Sequence, residues 1–359
     1  MSRNHITMVL AMLGCLAGNS QAAAVDGWSD ISGNVLHWTA TSALEFPVQT
    51  EVGSTHLAYK DPSVVQAKGA WHVLASHVRY IGGKSHYSLV YLGFPTWEAA
   101  STARVVPLLT DEELTCAPHV FRYGPHGKWY VFYVWHDRVT KYRGPAYSTF
   151  DDIDRPETIT KPRPCFNSIP QTLPKKGAWL DFSIIADDRQ VYLFFTDDAG
   201  HFLRSATQRE AFPTSWGDPE TVLTAPTSEI FEGSCTYQVQ GTGSYLTIIE
   251  AIGPQGRFYN AFEAPRLDGA WKPLSRTADH PFAGSANVTF PADQSPWTKH
   301  VSHGELLRAG EDEFMMLDPS HLRFLIQGWD GVTRVPGVPL GKFNGYHETP
   351  WRLGLLQAK

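Results

Sequence analysis

The sequence predicts an all-β protein assembled from a series of similar sheets, and three observations carry that prediction. Short runs of β-forming residues recur along the chain, turn signals rich in Gly, Asp and Pro separate them, and no stretch sustains a helical apolar period. Composition agrees. Aromatic residues make up 13% of the 359 and charged residues only 18%, which suits sheets and sugar-stacking surfaces better than long charged helices.

In chain order, Arg3 and His5 precede an apolar run over residues 6–17 and then the small residues of Gln21-Ala22-Ala23-Ala24. This is the pattern of a secretory signal peptide cleaved after Ala24, too short to remain as a membrane span. Cys15 after Met12-Leu13-Gly14 weakly echoes a lipoprotein site. We therefore expect residues 1–24 to be a signal peptide, residues 25–359 to be one domain, and the mature product to be secreted, extracellular and off the membrane.

Residues 25–47, with Trp28 and Trp38, lack a clear period and read as a lead-in that closes onto a later strand. Strand-like runs follow at 71–77, 87–94, 129–135, 191–196, 202–206, 245–251, 258–262, 314–317 and 322–328. Turn signals between them include Gly82-Gly83, Asp197-Asp198-Ala199-Gly200 and Leu267-Asp268-Gly269. Hairpins repeated this often point to a β-propeller, because a two-sheet sandwich of this length would need too many strands per sheet. The pattern itself leaves the blade count open.

Net charge is −6 with both signs interspersed. No basic stripe suggests nucleic acid and no polybasic segment suggests lipid, so a weakly charged partner is expected. Cys116, Cys165 and Cys235 follow the leader, an odd number that allows at most one bridge. The sequence does not fix which of them pair, if any do; Cys116 with Cys165 is a guess. Their spacing offers no zinc site.

Three carboxylates stand at the starts of β-type runs, where propeller strands converge on a common axis: Asp61, Asp181 and Glu232. Glu232 follows Ile230-Phe231, and apolar neighbours favour the protonated form of an acid. A second carboxylate, Glu250, and a Gly-flanked Arg257 lie just beyond it. Cleavage of a glycosidic bond needs one ionised carboxylate and one protonated one, and a third beside the acid raises its affinity for the proton.

The ordered strings Lys60-Asp61, Ala117-Pro118, Leu180-Asp181 and Phe231-Glu232, then residues 249–257 (IEAIGPQGR), 301–308 (VSHGELLR) and Gly345-Tyr346, resemble glycoside hydrolase family 62 α-L-arabinofuranosidases. The resemblance runs from about Trp38 to the C-terminus. It implies a five-bladed β-propeller that removes arabinofuranosyl branches from arabinoxylan with inversion, acting as a monomer. By position Asp61 would be the general base, Glu232 the general acid and Asp181 the carboxylate that tunes and holds the acid. Lys60, Trp135, Arg257, His303 and Tyr346 would bind substrate. No cofactor is required for the chemistry, although the resemblance implies a structural calcium near His303.

Family 43, which shares the carboxylate trio, and a non-catalytic sugar-binding propeller are the alternatives. Three departures bear on substrate preference: Phe182 stands where the family has a polar residue, a change expected to touch the furanose pocket; His347 stands where it has Asn, a change expected to touch the polymer groove; and Gly233-Ser234 stand where it has a bulkier apolar pair. Asn287-Val288-Thr289 is a glycosylation sequon, expected to be mostly unoccupied because it falls near the active face.

Overall fold

The computed structural model describes residues 27–49, 51–168, 170, 179–341 and 343–359, so the leader and Cys15 lie outside the described residues. Five sheets stand in a ring, the five-bladed β-propeller that the resemblance implies. Blade I comprises Ser54–Ala67, Ala70–Ile81, Lys84–Phe94 and Arg104–Leu108. Blade II comprises Leu114–Tyr123, Lys128–His136, Arg143–Phe150 and Arg163–Pro164. Blade III is Leu180–Ala186, Gln190–Thr196, His201–Gln208 and Glu220–Thr224.

Blade IV is Glu232–Val239, Tyr245–Gly253, Gly256–Ala264 and Lys272–Pro273, with Met316–Leu317 parallel to its first strand. Blade V takes Ser302–Leu306, Arg323–Gly328 and Arg352–Ala358 from the end of the chain and Trp38–Ala40 from its beginning, with Val288–Thr289 outermost. The lead-in therefore closes onto the last strand as expected, with Trp38 opposite Ala358 and Ala40 opposite Leu356. That pairing fastens the ring.

The second strands of blades II and III are largely apolar on both faces because a sheet packs on each side of them. Lys128–His136 is buried from Trp129 to Trp135, and Gln190–Thr196 from Val191 to Thr196. Aromatic side chains of these strands and their neighbours fill the wedges between blades: Phe121, Phe132 and Phe195 between II and III, and Tyr237, Phe262 and Phe324 in the wedges around IV and V. Each such aromatic contributes on the order of 1.5–3 kcal/mol through burial.

Three expectations need correction. Cys116, Cys165 and Cys235 are all free thiols, since they sit in separate blades or loops rather than facing one another. The strand expected over 314–317 is only Met316–Leu317, because Met315 takes a left-handed turn (φ 52°) immediately before it. Phe182 packs its ring against Trp179 and Phe195 in the core of blade III, so its exchange for a polar residue alters packing there rather than a furanose pocket.

The sequon asparagine is structural. Asn287 Nδ2 donates to the carbonyls of Leu36, Pro281 and Phe282, and Oδ1 accepts the Gly284 N–H, so the nitrogen that would carry a glycan ties the lead-in to blade V.

Candidate active site

The innermost strand of every blade breaks register at one level of the ring. The shifts fall between Lys60 and Ser63, Cys116 and His119, Leu180 and Ser183, Glu232 and Cys235, and Ser302 and Gly304. A bulge inserts an extra residue and re-aims a side chain. Asp61 (φ 51°), Ala117 (52°), Asp181 (57°) and Gly233 (62°) occupy the left-handed region at four of these points. Holding a non-glycine residue there costs about 1–3 kcal/mol, and such strain clusters at functional sites. At Gly233 a Cβ would meet the Tyr259 hydroxyl at 2.8 Å, so only glycine fits.

The bulges bring the predicted carboxylates together around the axis. His303 Nδ1 lies 3.5 Å from Asp61 Oδ1 and 3.6 Å from Asp181 Oδ1. Asp181 Oδ2 accepts the Gly233 N–H at 2.8 Å, which fixes it against the residue that follows Glu232. Asp61 is mid-strand rather than at a strand start, because blade I extends its first hairpin above the ring. Its Oδ2 accepts the Ser76 hydroxyl at 2.8 Å, its amide donates to Gln327 Oε1 at 2.7 Å, and Lys60 Nζ stands 3.4 Å from Oδ1.

Lys60 also donates to the Tyr346 hydroxyl at 3.2 Å. Arg257 Nη1 forks between Glu232 Oε1 and Glu250 Oε1, and its guanidinium carbon sits over the rings of Phe231, Tyr346 and Trp351 at 5.1, 5.1 and 5.9 Å. At the rim His347 Nδ1 and the Tyr87 hydroxyl are 2.8 Å apart. Trp135 stands one strand out from the axis in blade II, where its indole N–H donates to Glu112 and its ring packs near Tyr142. The structure thus groups seven of the eight predicted residues, Lys60, Asp61, Asp181, Glu232, Arg257, His303 and Tyr346. Sequence reasoning left Ser76, Gln327, Tyr87 and Trp351 unassigned, and nothing in their local motifs marks them.

Electrostatics divide the acids. Burial pushes the Asp181 carboxyl up to about 7; His303 opposes the shift while Glu232 and Asp61 add to it. Burial opposes the charge on His303, yet Asp181 and Asp61 prevail and raise it above the usual imidazole value. Lys60 follows the same logic: burial opposes its charge, and Asp61, Tyr346, Tyr87 and Glu232 together outweigh burial and raise it above the usual ammonium value. The raised Asp181 carboxyl has a consequence for stability. A folded state that binds a proton more tightly than the unfolded chain loses stability as pH climbs from the ordinary carboxylate value, 3.8, to about 7. Asp181→Asn removes that loss, so its Tm relative to the parent is expected to be higher at pH 8 than at pH 5, read by thermal melts at both. A pH-independent difference would show that the site is not desolvated.

Against Asp181 lies a cavity of about 20 Å³ whose polar lining is Asp181, Ser183, Ser234, Cys235, His303, Glu305 and His119. It has room for about one water. A calcium ion takes six to eight oxygen ligands, so these residues as packed do not fit the hydrated ion that the resemblance implies. His119, Cys235 and Glu305 lie close enough to share a cation. However, the Ile184 N–H donates to His119 Nδ1 at 3.2 Å, which leaves the proton on Nε2, and that atom has no protein partner. The ring offers the cavity a donor, which suits water and not a metal ion.

A five-bladed propeller with carboxylates gathered at one mouth of its axis is the architecture of a class of glycoside hydrolases. Residues 37–357 match glycosyl hydrolase family 62, and the chain belongs to that family. It is 34% identical over 328 residues to α-L-arabinofuranosidase C of Cellvibrio japonicus, covering 90% of this chain and 47% of that relative, about half of its length. Among solved structures, the catalytic domain of a Coprinopsis cinerea family 62 α-L-arabinofuranosidase superposes with a TM-score of 0.79 at 32% identity, covering 90% of this chain and 97% of that one. A family 62 hydrolase in complex with xylotriose gives 0.78 at 34% identity, covering 89% and 97%. A family 43 enzyme from Xanthomonas citri shares the fold alone, at 14% identity and 0.55, covering 93% of each chain.

Proposed function

We propose that this protein is a secreted, monomeric α-L-arabinofuranosidase that removes arabinofuranosyl branches from arabinoxylan with inversion. The observation that carries the reading is the pair Asp61 and Glu232 in contrasting surroundings. Asp61 is held by donors on every side, Ser76, Lys60 and His303, as an ionised base should be. Glu232 lies with Asp181 and Glu250 nearby and is bonded to the Arg257 guanidinium, with Lys60 and His303 also acting on it.

In this mechanism Asp61 takes a proton from a water that attacks the anomeric carbon, while Glu232 protonates the leaving oxygen of the xylose unit. Asp181 holds the acid's strand through Gly233 and adds negative potential beside it. Lys60, Arg257 and Tyr346 donate to sugar hydroxyls, while Trp135, one strand out from the axis and bonded to Glu112, takes no part in the pocket. The reaction needs no cofactor. The leader of residues 1–24 would direct export.

Incubation with wheat arabinoxylan, followed by chromatography and immediate proton NMR, tests the reading. Arabinose is expected, with the β-anomer formed first. First formation of the α-anomer would overturn inversion, and release of xylose from β-xylosides or cleavage of linear arabinan instead would favour a family 43-like activity. Binding of arabinoxylan with no sugar released over days would leave a non-catalytic propeller.

A further inference from the structure

Glu250 has no role in the mechanism above, yet its residue is fully buried and it touches both halves of the site. A carboxylate removed from water this completely is costly unless specific partners hold it. Its partners are unusually informative. Within blade IV it stands directly across from Glu232, and Arg257 Nη1 donates to both carboxylates at once. From blade V the His303 N–H donates to Oε2 at 2.6 Å and the Ser302 hydroxyl lies 3.1 Å from the same oxygen.

The contacts continue to the other acid. Gln327 Nε2 donates to Ser302 Oγ at 3.0 Å, and Gln327 Oε1 accepts the Asp61 N–H at 2.7 Å. An unbroken rail thus runs from the backbone of Asp61 through Gln327, Ser302, Glu250 and Arg257 to the side chain of Glu232. Aromatic rings of Phe231, Tyr346 and Trp351 cage the arginine and keep it from swinging away.

We infer that Glu250 is a positioning residue for the general acid: it draws off part of Arg257, so that Glu232 can keep its proton, and it locks the acid in register with Asp61. This inference rests on the roles proposed above for Glu232 and Asp61. The charged and titratable groups that face Glu250 are Glu232, Arg257 and Tyr259 from blade IV and His303 from blade V. Those that face Arg257 are Glu232, Glu250, Tyr346 and His300. Asp181, Lys60, His303 and Tyr346 also act on Glu232. With Glu250 neutral, Arg257 would have Glu232 as its one carboxylate partner in this set and would hold it ionised.

The test is the pH profile of kcat/KM for Glu250→Gln, a substitution that keeps shape and removes charge. The alkaline limb, which reports loss of the acid's proton, is expected to move down by about one pH unit. At neutral pH kcat should fall about tenfold on arabinoxylan with KM little changed, and the deficit should shrink on an aryl arabinofuranoside whose leaving group needs no proton. Glu250→Asp, which keeps the charge, should bring the limb most of the way back.

An unmoved limb with equal losses on both substrates would overturn the inference and leave Glu250 a structural residue. If Glu250→Gln does not fold, Ser302→Ala carries the test, since it cuts the rail while leaving every charge in place. It should lower kcat about tenfold with the limb unmoved, and unchanged kcat would sink the proposed coupling. A parent enzyme that releases no arabinose would instead count against the proposed function itself, which keeps the two failures distinct.

Discussion

Asp61→Asn is expected to lower kcat/KM for arabinose release by about 10³-fold or more, the upper part of the range for loss of a general base. The substitution preserves shape, and an amide oxygen can still accept the Ser76 hydroxyl. It removes the negative charge that Lys60 and His303 both face, so an attacking water would find no group able to take its proton. Folding should survive, because the backbone contact to Gln327 does not depend on the side chain. Initial rates on arabinoxylan beside far-UV circular dichroism check both statements. A folded Asp61→Asn protein that retains activity within tenfold of the parent would remove Asp61 from the mechanism.

Glu232→Gln is expected to be as damaging on arabinoxylan, about 10²–10⁴-fold, but for a reason the leaving group can reveal. A xylose hydroxyl is a poor leaving group and must receive a proton as the bond breaks. A nitrophenolate leaves without one. The deficit should therefore be far smaller on a nitrophenyl arabinofuranoside, while attack of water, driven by Asp61, is unaffected. Equal losses on both substrates would assign Glu232 to binding, through its contact with Arg257, and not to proton transfer.

Much of this site was legible because the acids sit in distinctive local strings. Leu180-Asp181 and Phe231-Glu232 open inner strands, and the apolar and turn residues around them announce where those strands begin. Inner strands of blades I and II were harder to read. Pro62 and Pro118 look like strand breakers, yet each sits within a bulge, where no ladder hydrogen bond is required of it. The run Leu114–Tyr123 was missed for that reason, and Asp61 was placed at a strand start when it lies within one.

Other features depend on contacts that no local pattern encodes. Asp61 is secured by Gln327, 266 positions away, and Lys60 by Tyr346, 286 away. Phe182 reads in sequence as an intruder beside a catalytic acid, but strand alternation turns its ring into the wedge between blades. The free thiols follow the same principle, since pairing requires Cα atoms brought within about 7 Å of one another, and spacing along a chain does not provide that.

Closure of blade V by Trp38–Ala40 against Arg352–Ala358 has a consequence for biosynthesis. Glu232 meets its guanidinium partner 25 residues downstream, within three consecutive strands of blade IV. The opposite acid must wait for Gln327 and for Arg352–Ala358 to join blade V. A chain made in order would therefore bring the proton donor to its arginine before the proton acceptor is fastened, and hydrolytic competence would wait on closure of blade V.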